Sequence, residues 1–310
     1  MKRRKRTAKE PLIGIALGSG SARGWAHIGV LRGLSEAGIE PDIVCGVSVG
    51  ALIGTAYAAG QLDMLEKWVR GLHIRELVRY IDIKLVEGGG FVQGKRLMDF
   101  LRKHISCESI EDLPRVFGAV ATDLSSGREI WFTRGPLFDA VRASLALPGI
   151  FTPAKLGKQW LVDGGLVNPV PVSLCRALGA QMVIAVNLNG DIAGRHFRKK
   201  PSASGREPVP EMKLLEKLSN SLREKASSLM PHSPGTPGLF DVLAGSINIM
   251  QDRITKSRMA GDPPDVMLAP RLGHVGLLEF DRADEAIKEG ARCVVRMLPA
   301  LKDSIPFMKQ

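Results

Sequence analysis

The stretch from Val44 to Ala58, VCGVSVGALIGTAYA, limits the possible folds of this chain more than any other. A short apolar run leads into Gly46-Val47-Ser48-Val49-Gly50, and small and apolar residues follow at helical spacing. This G-x-S-x-G sets a serine on a sharp turn from strand to helix, where the backbone is strained and the residues two before and two after must be tiny. Glycine at both places removes the clash. A hydroxyl is then held at the carboxyl end of a strand beside the first N–H groups of a helix, where a nucleophile can act and negative charge can be received. The flanks agree. Asp42-Ile43-Val44-Cys45 suits a strand buried in a parallel sheet, and Ala51 to Ala59 an apolar helix ended by Gly60.

A second strand, loop and helix opens the chain. Leu12 to Leu17 reads as a buried strand, Gly18-Ser19-Gly20-Ser21-Ala22-Arg23-Gly24 as a loop, and Trp25 to Ala37 as a helix that stops at Gly38. Such a loop bares amides at a helix N-terminus, an environment for a phosphate or for the oxyanion of acyl transfer. A dinucleotide fingerprint is the competing reading. It is disfavoured because Arg23 occupies the position of the third glycine, and because Glu40 and Asp42 precede the second strand instead of ending it.

Further along, Leu62 to Tyr80 is an amphipathic helical stretch broken near Gly71, Gly88-Gly89-Gly90 a loop, and Gly94 to Ile105 another helix. Val116 to Thr122 is a strand whose antiparallel partner, Arg128 to Thr133, returns after the turn Ser125-Ser126-Gly127. Leu137 to Ala143 is helical, and the proline-marked Ser144 to Pro153 suits a pocket lining. Gln159 to Val162 is a strand ending in Asp163-Gly164-Gly165, Val172 to Leu178 a helix, and Gln181 to Leu188 a parallel strand. A helix from Phe240 to Met259, a strand from Asp265 to Leu268 and a helix from Arg282 to Leu301 complete the chain. The alternation predicts an α/β fold of three layers, with helices on both faces of a mostly parallel central sheet. The expected divisions are a basic tail (1–11), a catalytic domain (12–188), a basic Ser- and Pro-rich insertion or flap (189–238), and closing elements on the same domain (239–310).

The net charge of +11 is concentrated in Lys2 to Arg6 and in Arg195 to Lys225, so basicity belongs to the periphery and can draw the protein to an anionic membrane surface or to nucleic acid. Aromatic residues make up 5% of the chain, too few for a base-stacking platform, and no specific nucleic-acid partner is expected. Cys45, Cys107, Cys175 and Cys293 are widely spaced in apolar patterns, which predicts buried free thiols in a reducing compartment; no metal spacing and no cofactor motif stand out. No apolar run reaches the roughly eighteen residues of a membrane span. Leu12 to Leu17 is read as the first strand and not as part of a signal peptide. The expectation is a cytoplasmic protein, peripheral at most at the inner membrane face.

A serine hydroxyl needs a base within hydrogen-bond reach. Ser48, Asp163 and His274 fall in the chain order of a Ser-Asp-His triad, with His274 in a loop after the last strand. The alternative is a dyad in which Asp163 itself takes the proton and the Gly18 to Gly24 loop holds the oxyanion. His27, His73, His104, His196 and His232 lie on helices or in the insertion, in contexts that do not demand a base.

The glycine loop with Arg23, the G-x-S-x-G at Ser48 and the D-G-G at Asp163, each at a strand end and in that order, resemble the patatin-like phospholipase family. The similarity runs from Leu12 through Ala260-Gly261-Asp262-Pro263-Pro264-Asp265. The resemblance implies hydrolysis of lipid acyl esters, with Ser48 as nucleophile, Asp163 as base, amides of the Gly18–Gly24 loop and of Val49 as oxyanion donors, and Arg23 bracing the loop. Gly46, Gly50, Gly164 and Gly165 are then the small residues of the motifs. Ser19 and Ser21 stand where the family's loop is often glycine. A second reading is a low-turnover lipid-binding or regulatory module on the same scaffold.

Overall fold

The computed structural model describes residues 11–72, 93–190 and 239–305. Five parallel strands form its centre, in the order β3 (Val116–Asp123), β2 (Ile43–Val47), β1 (Ile13–Leu17), β7 (Met182–Val186) and β8 (Val266–Leu268). Strands β1, β2 and β7 are buried along their whole length, which is why they read as continuous apolar runs. Side chains of β1 alternate between two cores. Ile13, Ile15 and Leu17 join the larger one with α1 (Ala26–Glu36), α2 (Val49–Ala58) and α8 (Ala283–Ser304), whereas Ala16 joins the smaller one with α6 (Val172–Ala177). These are the three layers that the sequence predicted.

Helices α1 and α8 cross closely enough that a Cβ on Gly29 would stand 1.8 Å from the Ile287 carbonyl oxygen, and one on Gly290 2.0 Å from that of Ala26. This reciprocal contact anchors α1, and with it the loop that α1 follows.

Three antiparallel strands, β4 (Glu129–Phe132), β5 (Ala154–Leu156) and β6 (Gln159–Asp163), extend the sheet beyond β3. Ala119 of β3 pairs with Gly46 of β2 and with Phe132 of β4, so those two strands take opposite edges of β3. Ala121 pairs with Ile130 of β4 and with Asp163 of β6, so β6 shares the β2 edge. Strands β2 and β6 therefore run toward each other along one edge. Their last residues, Val47 and Asp163, are in register with the consecutive Val120 and Ala121.

Helix α3 (Leu62–Arg70) stops at Gly71, where the sequence placed the break. The other helices are α4 (Lys95–His104), α5 (Leu137–Ser144) and α7 (Leu239–Gly261). The remainder of the Leu62–Tyr80 stretch, the Gly88–Gly90 loop, the basic runs Lys2–Arg6 and Arg195–Lys225, and His73, His196 and His232 lie outside the described residues. Cys45, Cys175 and Cys293 are buried free thiols, as expected. Cys107 is corrected to half-buried, because it follows α4 in a surface loop and not in a core element.

Candidate active site

Ser48 has φ 57° and ψ −127°, and it and Ser21 are the described non-glycine residues with positive φ. Such a conformation costs on the order of 1–3 kcal/mol and persists only where its surroundings enforce it. Here they do. A Cβ on Gly50 would lie 2.1 Å from the Leu17 carbonyl oxygen, and one on Gly46 2.4 Å from that of Gly50, so both neighbours must be glycine for the backbones to close. The Ser48 amide donates to Ser144 Oγ at 2.9 Å, a buried contact from the end of α5 that the sequence gave no reason to expect. Helix α2 begins at Val49, directly after the serine.

Asp163 arrives from the opposite direction on β6 and is fully buried. Its amide donates to the Ala146 carbonyl at 2.9 Å, its carbonyl accepts from Thr122 Oγ1 at 2.9 Å, and its Oδ1 accepts from the Gly165 amide at 2.7 Å. A Cβ on Gly164 would stand 2.2 Å from the Val120 carbonyl oxygen, so this turn too needs glycine to press against β3. Burial pushes the Asp163 carboxyl up to about 6, against the opposing pull of the Ser48 hydroxyl and the Gly165 amide. The serine hydroxyl is thus near enough to favour the carboxylate. The pair nevertheless falls short of a well-formed hydrogen bond, and Asp163 Oδ2 has no hydrogen-bond partner among the described residues. Catalytic hydrogen bonds are commonly long before substrate binds.

The loop after β1 divides into amides that hold structure and amides that are open. Gly18 donates to Val186, Ser19 to Pro169, Ala22 to Leu277 and Arg23 to Gly20. Those of Gly20, Ser21 and Val49 make no hydrogen bond among the described residues. Within the Gly18–Gly24 loop expected to supply oxyanion donors, the amides of Gly18, Ser19, Ala22 and Arg23 are thus already engaged. Gly24 serves packing, since a Cβ there would meet Val49 Cγ1 at 2.2 Å.

Both loop serines also have structural uses. Ser21 Oγ donates to the Leu277 carbonyl at 2.6 Å, and Ser19 Oγ to Gln251 Oε1 at 3.1 Å. Arg23 is 2% exposed; its Nε donates to the Gly20 carbonyl at 3.2 Å and its Nη2 to Asn248 Oδ1 at 3.0 Å. Burial lowers its pKa to about 10, which leaves a cation behind the loop at neutral pH.

Neither His274 nor His27 joins the site as a base. The His274 ring is half exposed and binds Glu285 at 2.5 Å, in the first turn of α8. His27 is fully buried in α1 with Nε2 2.8 Å from the Gly18 carbonyl oxygen. Burial lowers its pKa to about 4, outweighing the effect of that contact, so the neutral ring donates and steadies the loop. The sequence placed His27 in the helix but attached no role to it.

A narrow cleft opens over Ser48 and the loop after β1. Ser48, Ser19, Gly20 and Ser21 form its polar end. Leu147, Pro148 and Ile150 from the proline-marked stretch, Leu243 and Ile247 from α7, and Leu277 form its apolar wall, and Gly149, Asn248 and Gln251 complete the lining. His274 is not among the residues that line it.

A serine on a strained elbow at the carboxyl ends of parallel strands is the arrangement of α/β serine hydrolases. Residues 15–176 match the family model described as patatin-like phospholipase, and the chain belongs to that family. It is 31% identical over 345 residues to an uncharacterized NTE family protein of Mycobacterium tuberculosis, covering 96% of this chain and 94% of that one. It is 28% identical over 309 residues to the lysophospholipase NTE1 of Pyricularia oryzae, covering 96% of this chain and 19% of that much longer protein. Among solved structures, VipD from Legionella pneumophila shares the fold, with a TM-score of 0.50 at 12% identity over 94% of this chain and 67% of that one. Membership of this family makes the chain a lipid hydrolase in the broad sense. No helix among the described residues is long and apolar enough to cross a membrane.

Proposed function

We propose that the protein hydrolyses acyl esters of lipids through an acyl-Ser48 intermediate, with Asp163 as the base and without histidine. Ser48 Oγ attacks the ester carbonyl as its proton passes to Asp163 Oδ2. The carbonyl oxygen, now negative, is received by the open amides of Gly20, Ser21 and Val49, with the Arg23 cation behind them. The C–O bond to the alcohol breaks, and the alcohol leaves with the proton that Asp163 held. Water then attacks the acyl-serine, gives a proton to Asp163, and releases the fatty acid as the Ser48 hydroxyl is restored. The observation that carries this reading is the head-on meeting of β2 and β6 along one edge of β3, with Val47, the residue before Ser48, and Asp163 at adjacent register positions. A base poised near 6 is ionised at neutral pH yet still able to take a proton. The apolar wall of the cleft suits an acyl chain, and Val242, Leu243, Ile249, Met250 and Leu278 are exposed on α7 and beside Leu277.

A fluorophosphonate probe is the direct test. It is expected to leave one covalent adduct on Ser48, with wild-type protein releasing fatty acid from phospholipid or lysophospholipid. His274→Ala is expected to retain activity to within about threefold. Absence of an adduct would favour a lipid-binding module, and a hundredfold or greater loss in His274→Ala would restore the triad. The peripheral membrane contact proposed for Lys2–Arg6 and Arg195–Lys225 predicts binding to vesicles that rises with anionic lipid and falls with salt. Binding indifferent to both would remove that contact.

A further inference from the structure

Helix α7 lines the cleft with Leu243 and Ile247 and, at its inner end, with two buried amide side chains, Asn248 and Gln251. Asn248 accepts from Arg23. Gln251 is 4% exposed. Its Oε1 accepts from Ser19 Oγ at 3.1 Å and from Asn189 Nδ2 at 2.9 Å, and its own carbonyl accepts from Thr255 Oγ1 at 2.7 Å. The Asn189 backbone N–H donates to Asn187 Oδ1 at 3.0 Å, just past the end of β7. Gln251 Nε2, Asp163 Oδ1 and Ser19 Oγ all lie within 3.1 Å of the point that a Cβ on Gly165 would occupy. One buried amide thus touches the loop after β1, the turn after β6 and the segment after β7.

A buried amide must be given hydrogen-bond partners or cost about 1–3 kcal/mol, a demand that an apolar side chain would not make if packing were the only use of this place. Ser19 points the same way: its hydroxyl is spent on Gln251, in a loop where glycine would otherwise do. We propose that Gln251 is a positioning residue for the hydrolysis described above. It ties the Ser19 end of the oxyanion loop to the Asp163-Gly164-Gly165 turn, so that the open amides and the base keep one frame of reference. The inference rests on the Ser48–Asp163 reading and adds a residue to it. Burial, the Ser48 hydroxyl and the Gly165 amide account for the proton affinity of Asp163, and no other charged side chain among the described residues bears on it. A carboxylate introduced at position 251 would be the first, and it would raise that affinity by like-charge repulsion.

The test uses the full chain and a soluble acyl ester, with Gln251→Ala, Gln251→Glu, Ser19→Ala and the Ser19→Ala/Gln251→Ala double variant. Gln251→Ala is expected to lower kcat about ten- to a hundredfold with KM within about threefold, while still forming a slower fluorophosphonate adduct on Ser48. The double variant is expected to be no worse than Gln251→Ala, because both changes break the same link. Gln251→Glu, which is isosteric and keeps the acceptor, is expected to move the acid limb of kcat/KM up by about one pH unit or more. Wild-type kcat in Gln251→Ala, or an unmoved acid limb in a folded Gln251→Glu, overturns this proposal alone. Wild-type protein with no Ser48-dependent turnover overturns it together with the hydrolase reading.

Discussion

Ser48→Ala is expected to lower fatty-acid release about 10³-fold or more, with the protein still folded and lipid still able to enter the cleft. The hydroxyl is the only group at the elbow that can form the acyl intermediate, and removing a nucleophile removes the whole covalent route. Asp163→Asn is expected to fall by about 10²–10⁴-fold, the usual worth of general-base assistance, because the amide oxygen cannot take up the proton. The residual rate in Asp163→Asn then measures what the amides and Arg23 contribute on their own. Mass spectrometry of lipid extracts incubated with wild type and each variant reads both effects. Ser48→Ala with wild-type release would end the mechanism. In wild type, kcat/KM should decline as pH falls through about 6, where Asp163 becomes protonated.

The second large effect is on stability, and its sign is opposite. Burial raises the Asp163 carboxyl from 3.8 to about 6 in the folded protein. Between those values the native state takes up a proton that the unfolded chain does not, so folding is favoured as pH falls through 6. The gain is complete below the unfolded value, and above 6 the folded protein carries the cost of a buried, ionised carboxylate. A shift of this size corresponds to about 3 kcal/mol. Asp163→Asn is therefore expected to stabilise the protein at pH 7.5 by an amount of that order, and by almost nothing near pH 4. Denaturant unfolding at the two pH values checks it, and equal gains at both would mean that the charge is not the cause. The base is costly to keep, which is a reason to find it at a site and not in ordinary core.

How much of this was legible in the chain follows from the range of each constraint. The elbow could be read at once because its sterics act on residues two positions away, and Gly46 and Gly50 are both within that reach. Strands β1, β2 and β7 were legible because continuous burial leaves a continuous apolar run. Asp163 was a weaker case: a carboxylate followed by two glycines at a strand end is a turn as well as a base, and only the family likeness ranked it above a triad with His274. Ser144, His27, Asn248 and Gln251 went unassigned because a polar side chain on a helix looks the same whether it meets water or a catalytic loop. The spacing of Asn248 and Gln251 on an otherwise mixed helix was the one available hint.

Local order thus settled what Ser48 is, a hydroxyl held in strain between a strand and a helix, since backbone sterics and apolar periodicity act over a few residues. What Ser48 faces was left to the sheet. Strands β2 and β6 are separated by more than a hundred residues of chain, and nothing in either says that they share an edge of β3 or that their register ends in contact. Pairing across that distance is decided by how all the strands and both cores fit together, and it is this fit that brings a carboxylate to the serine and leaves the imidazole of His274 on Glu285.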